Sequence, residues 1–188
     1  MNSPMQKIIL SITLLLTFTV LNAQEPIRLE NYSFKHSATT QATKEVIWEL
    51  WTDVENWKQF DERIEYSHLV DTDIFAVGSR GVMKGKGAPR TAFEIIALDE
   101  GNSFTIKLKL PLYQRVELQR YFEPSDIGQT TFTHEVNFRG RLKSLYYLFL
   151  ARPFKSDLKL VIDEIQAIAD RSVSVSYTHL TLPTILLV

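Results

Sequence analysis

From residue 32 to residue 38 the chain alternates. Tyr32, Phe34, His36 and Ala38 fall on one side of an extended backbone, and Ser33, Lys35 and Ser37 fall on the other. A period of two marks a strand with one buried face. The period then changes: Thr43 has the chemistry of a helix N-cap, and Val46, Ile47, Leu50 and Trp51 recur behind it at helical spacing. A second short helix is expected over 54–60. Strand-like runs follow at 64–70, 79–84, 90–98, 103–110, 113–122 and 130–138. Turn signals separate them at 71–73, 85–89, 99–102, Pro111 and 124–128. The last long element, 142–169, carries Leu158, Val161, Ile162, Ile165 and Ile168 at helical spacing, and Pro153 is expected to kink or break it.

Connections this short leave no room for crossover helices, so the sheet is antiparallel. The predicted fold class is therefore α+β. A seven-stranded curved antiparallel sheet wraps around one long C-terminal helix, with two short helices between strands one and two. One curved sheet has one apolar face, and a single helix must cover it. Seven strands are too wide for one helix to fill, and the space left over is an apolar cavity of the kind that takes a small molecule. Its expected wall is Tyr66, Met83, Phe93, Phe104, Ile106, Leu118, Phe132 and Val136.

Two polar residues interrupt that face. On the sixth strand Arg120 shares a phase with Val116, Leu118 and Phe122; on the seventh, His134 lies among Phe132, Val136 and Phe138. A hairpin that pairs Phe122 with Phe132 sets Arg120 opposite His134. Both would look into the cavity and orient a carboxylate, phosphate or ketone. The alternative is an arginine that reaches the rim or pairs internally, and a histidine satisfied in the core. His36 and His68 read as structural. Glu65 and His68, three apart on a strand, face opposite sides and do not chelate. Lys84 to Arg90 lacks the ending of a phosphate-binding loop and reads as a basic hairpin. Trp48, Trp51 and Trp57 form either an aromatic cage or, at helical spacing, core.

The formal charge of −1 removes any general electrostatic case for nucleic acid as a partner. The absence of cysteine excludes disulfides, thiolate metal sites and a thiol nucleophile. The sequence calls for no cofactor and identifies no protein partner. At the N-terminus, Lys7 precedes an apolar and Ser/Thr stretch over 8–21, and Leu21-Asn22-Ala23 precedes Gln24. This is the pattern of a signal peptide over 1–23, too short to span a bilayer, and it places the mature chain in the periplasm or outside the cell. The ligand-binding domain is expected over 29–170. Residues 175–184 resemble one reading frame of a sequencing-library adapter, and the helical period collapses after Asp170, so 175–188 are expected to be a non-native tail. The stretch from Leu145 to Leu150 is apolar all round. It is either a helix end buried under the first two helices or a portal that makes transient contact with membrane or ligand.

Several motifs carry a resemblance to a known group. They are Val46-Ile-Trp48-Glu-Leu-Trp51-Thr-Asp53-Val-Glu-Asn-Trp57 and Val77-Gly78-Ser-Arg80-Gly81-Val-Met83-Lys84, then Phe122-Glu-Pro124, Thr133-His134 and Phe138-Arg-Gly140. Together they resemble the SRPBCC superfamily, with its START-like helix-grip fold and its polyketide cyclase/dehydrase-like members. The resemblance implies the helix-grip fold but not one activity, because such proteins include lipid carriers, hormone receptors, cyclases and dehydratases. Similar proteins can carry histidine where this chain has Arg120, and a guanidinium binds rather than shuttles protons. The expected function is an exported binder or carrier of a hydrophobic small molecule such as a lipid or polyketide. The alternative is a cofactor-independent cyclase or dehydratase using His134 and Arg120.

Overall fold

The structure, a computed structural model, describes residues 32–180, with side chains described through residue 174. The expected signal peptide and residues 181–188 of the expected tail lie outside the described residues.

The strands are β1 (Ser33–Thr40), β2 (Ile64–Leu69), β3 (Arg80–Gly85), β4 (Arg90–Asp99), β5 (Ser103–Leu110), β6 (Gln114–Glu123) and β7 (Thr130–Arg139). They form one antiparallel sheet in the order β1-β7-β6-β5-β4-β3-β2. A meander from β2 to β7 is thus closed by β1 pairing with β7. Helix α1 (Lys44–Thr52) and a 3₁₀ helix (Val54–Gln59) connect β1 to β2, and α2 (Lys143–Leu180) ends the described chain. This is the helix-grip architecture. Register irregularities between Ile64 and Tyr66 and between Ile95 and Ala97 add local bend to the sheet.

Helix α2 lies along β1 and β7 and buries Ile162, Ile165 and Ala169. The corner after β1 is fastened to it by Thr40. That buried hydroxyl accepts from Ala42 N at 3.1 Å and donates to Asp170 Oδ1 at 2.5 Å. The opposite part of the concave face is filled by the β1–β2 connection. Trp51 and Trp57 are buried there, and Trp57 Nε1 donates to the Trp51 carbonyl at 3.0 Å. Ser67 on β2 donates to the Val54 carbonyl at 2.5 Å, tying the 3₁₀ helix to the sheet edge. Gly81 lets the Phe93 ring lie directly on the β3 backbone, since a Cβ there would stand 2.2 Å from a ring carbon.

The expected break at Pro153 does not occur: the proline stands inside one continuous helix. Pro153 and Phe149 are both exposed, so the carbonyl that loses its usual partner four residues earlier lies on the solvent side. The helix also continues past residue 169, where the sequence period ends, to Leu180. Extending an existing helix costs far less than starting one.

Candidate functional site

The two coverings touch where α1 meets α2 but do not fill the whole concave face. Between the tryptophan-filled end and the ridge of α2 the sheet keeps a cavity of about 480 Å³, within the range that takes a small ligand. Its floor is Met83, Ile106, Leu108, Leu110, Leu118 and Val136; Phe154, Leu158 and Val161 of α2 form the roof, and Trp57 and Phe60 the end wall.

Arg120 and His134 both line this cavity and are directly cross-strand in the β6–β7 register, as Phe122 is to Phe132. In the β1–β7 register His36 is opposite His134. The inner face thus carries the row His36, His134, Arg120, Phe104 across four strands.

Arg120 is only 8% exposed and has no salt bridge among the described residues. Its guanidinium carbon lies 5.2 Å from the Trp57 ring centre, 5.5 Å from Phe60 and 5.6 Å from Phe104. The faces of these rings supply cation–π attraction, but Nη1 is left buried without a hydrogen-bond partner. Burial pulls its pKa down from the ordinary arginine range to about 9, partly opposed by the field of Asp61. The group stays charged at neutral pH. Asp61 itself is engaged elsewhere, taking Arg63 Nε and Nη2 at 2.8 Å each, while Arg63 Nη1 reaches Asp157 at the cavity rim.

His134 is held well below the ordinary histidine range, first by burial and then by the charges of Arg120 and His36. It is neutral at pH 7, and its Nε2 is also buried without a partner. The Trp51 ring lies 5.4 Å from the imidazole, and Trp51 Nε1 is the third such orphan. Buried polar atoms in folded proteins are nearly always satisfied. Two of these three orphans belong to residues lining one cavity. A neutral imidazole beside a guanidinium offers what a carboxylate, enolate or ketone oxygen needs: a charge-assisted donor and a second group that donates or accepts.

Of the wall expected from sequence, Met83, Ile106, Leu118 and Val136 line the cavity with Arg120 and His134. Phe93, Phe104 and Phe132 face the same side of the sheet but are buried under tryptophan. Phe93 packs 5.3 Å from Trp57, and Phe104 and Phe132 pack 6.0 and 6.1 Å from Trp51. Trp51 and Trp57 are core at this end, and Trp57 also walls the arginine. Tyr66 is on the other face, 36% exposed and stacked on His68. The bulge at Glu65 inserts one residue and reverses the phase, so Ile64 lines the cavity and Tyr66 does not. Leu108 and Leu110 were readable, since they continue the phase of Ile106. Asp61, Arg63 and Asp157 had no such signal, because loop and helix-rim positions carry no strand period. The Lys84–Arg90 segment is the β3–β4 hairpin, and its Lys86, Ala88 and Pro89 border the cavity.

No family model matches the chain, and no curated protein matches it in sequence. Solved structures do share its fold. The hypothetical protein jhp0584 from Helicobacter pylori superposes with a TM-score of 0.60 at 12% identity, covering 76% of this chain and 91% of that one. Ara h 8.0201 gives 0.54 at 12% identity, covering 72% and 97%. The di-domain ARO/CYC StfQ from the steffimycin biosynthetic pathway gives 0.60 at 11% identity; the match covers 76% of this chain and 52% of that longer chain. At these identities the likeness establishes the helix-grip fold alone.

The buried neutral histidine has a measurable consequence. Its folded pKa lies below the unfolded value of about 6.5, so the unfolded chain takes up the proton first as pH falls. The stability His134 contributes is complete above about pH 6.5 and is lost as the solution is acidified toward its folded pKa. Urea unfolding of wild type and His134→Gln should therefore give parallel pH dependence above 6.5. Below it, wild type should lose about 1.4 kcal/mol per pH unit more than the variant. Parallel curves down to pH 5 would mean that His134 is hydrated or already paired.

Proposed function

We propose that this chain binds or carries a hydrophobic small molecule that ends in an oxyanion or carbonyl, such as a lipid or polyketide acid. The observation that carries the reading is the buried, unpaired guanidinium of Arg120 at the end of an apolar cavity. An apolar body fits the leucine, isoleucine and phenylalanine walls, and the polar end would satisfy Arg120 Nη1 and His134 Nε2. The chain is also proposed to be exported to the periplasm or beyond, on the signal-peptide pattern of residues 1–23. N-terminal sequencing of the exported protein should then begin near Gln24, whereas an intact Met1 would overturn export with cleavage.

A second reading, a cofactor-independent enzyme of the cyclase or dehydratase type, is favoured by one observation. The imidazole of His134 is neutral and faces the same cavity as Arg120, as a general base beside an oxyanion stabiliser would be. The ARO/CYC neighbour makes the reaction class worth testing. In that case His134→Phe should cost about 10²–10⁴ in turnover with little change in affinity; in a carrier it should alter affinity modestly.

Titration calorimetry with dodecanoate and dodecanol separates head-group recognition from apolar burial. The acid should bind more tightly than the alcohol. Arg120→Ala should weaken the acid by about 1.5–3 kcal/mol and barely affect the alcohol, and Arg120→Lys should recover part of the loss. Equal losses for both probes would mean that Arg120 shapes the cavity without reading the ligand.

A further inference from the structure

The first turns of α2 do not bury the apolar stretch they carry. Leu145, Leu148 and Phe149 are 47%, 74% and 69% exposed. With Arg152 they stand at i, i+3, i+4 and i+7, one continuous face of the helix. Beside them is the tip of the β5–β6 hairpin, where Leu112 and Tyr113 are 68% and 101% exposed. Both hold left-handed backbone, with φ of 56° and 58°, a conformation that costs a non-glycine residue energy and persists only when its surroundings impose it. Gln114, only 4% exposed, fastens the two parts together: its Nε2 donates to the Leu112 carbonyl at 2.8 Å, and its Oε1 accepts from Leu142 N at 2.9 Å. Tyr146 Oη adds a bond to the Pro111 carbonyl at 3.1 Å. Two exposed apolar segments, distant in sequence, are thus held rigidly side by side.

The charge around them has one sign. From residue 139 to residue 156 the chain contains Arg139, Arg141, Lys143, Arg152 and Lys155 and no acidic residue. Arg139 pairs with Glu117, while the other four form no salt bridge among the described residues. The patch adjoins the cavity, because Leu110 precedes the hairpin tip, Phe154 follows the exposed turns, and both line the cavity. Among the described residues no helix is long and apolar enough to cross a membrane.

We propose that this face docks on an anionic phospholipid surface, with Leu112, Tyr113, Leu145, Leu148 and Phe149 entering the interface and Arg141, Arg152 and Lys155 contacting lipid phosphates. Lys143 and Lys155 lie over aromatic rings, Lys143 over Tyr32 and Lys155 over Phe34 and Tyr147, so their charge is not neutralised by a carboxylate. Apolar side chains beside cations without salt bridges suit the acyl–headgroup boundary and favour anionic over zwitterionic lipid. The inference does not depend on the ligand reading, since bilayer and ligand binding are read separately.

The test is co-sedimentation of the full chain with phosphatidylglycerol vesicles and with phosphatidylcholine vesicles, for wild type, Leu148→Asp/Phe149→Asp, Tyr113→Ser and Arg152→Glu. Each variant replaces an exposed side chain, and unchanged unfolding midpoints establish that the fold is kept. Because every form carries the same apolar N-terminus, differences among them report the patch. Wild type should prefer the anionic vesicles. The double variant and Arg152→Glu should each weaken that binding by about tenfold or more, and Tyr113→Ser by less. Equal binding of all forms would overturn the proposal. So would a wild-type dimer that the double variant dissociates without any change in vesicle binding, which would assign the face to a second copy.

Discussion

A seven-stranded sheet offers more concave apolar surface than one helix can cover, and the organisation of this protein follows from that mismatch. Helix α2 seals β1 and β7. At the other end, the short connection between β1 and β2 inserts Trp51 and Trp57, which bury Phe93, Phe104 and Phe132, with half-buried Phe122 stacked on Trp51. What remains between the two is the cavity. Its walls are hydrophobic because they belong to the same sheet face that elsewhere is core, and its size is set by where the tryptophans stop.

Arg120 sits on that boundary. Its aliphatic stem follows the inner phase of β6, and its guanidinium lies among aromatic faces, with its nearest carboxylate influence, Asp61, already bound to Arg63. A fall in pKa from the ordinary arginine range to about 9 corresponds to several kcal/mol against the charged form. A core built only for stability gains nothing from such a residue, since well-packed apolar side chains commonly replace buried charges at no loss. The cost is offset if an oxyanion arrives: the unpaired Nη1 then gains a charge-assisted bond in a medium that screens it little. Neutral His134 alongside adds a partner without adding a second repelling cation.

Much of this was readable from residue order, and the parts that were not have definite causes. The facing of Arg120 and His134 followed from two uninterrupted period-two strands joined by a short loop, with the register that pairs Phe122 with Phe132. Tyr66 was misplaced because a bulge at Glu65 flips the phase, and a one-residue insertion leaves no mark on an alternating pattern. Phe93, Phe104 and Phe132 had the right face but the wrong surroundings, since only tertiary packing decides which inner-face residues a tryptophan will cover. Pro153 was expected to kink or break α2, and its exposed position lets the helix run through it unbroken. The exposure of Leu148 and Phe149 was likewise undecidable in sequence, where burial under the first two helices stood as the alternative.

If Arg120 is kept for a ligand and not for the fold, removing its charge relieves the fold of a cost. Equilibrium urea unfolding of ligand-free wild type and Arg120→Met tests it most directly, because methionine fills similar space without the charge. The variant should be more stable, by about 1–3 kcal/mol, even though it has lost its grip on an anionic head group. A variant less stable than wild type by 1 kcal/mol or more, on the scale of ordinary destabilising substitutions, would show that the aromatic box holds the guanidinium as a structural element and would contradict the claim.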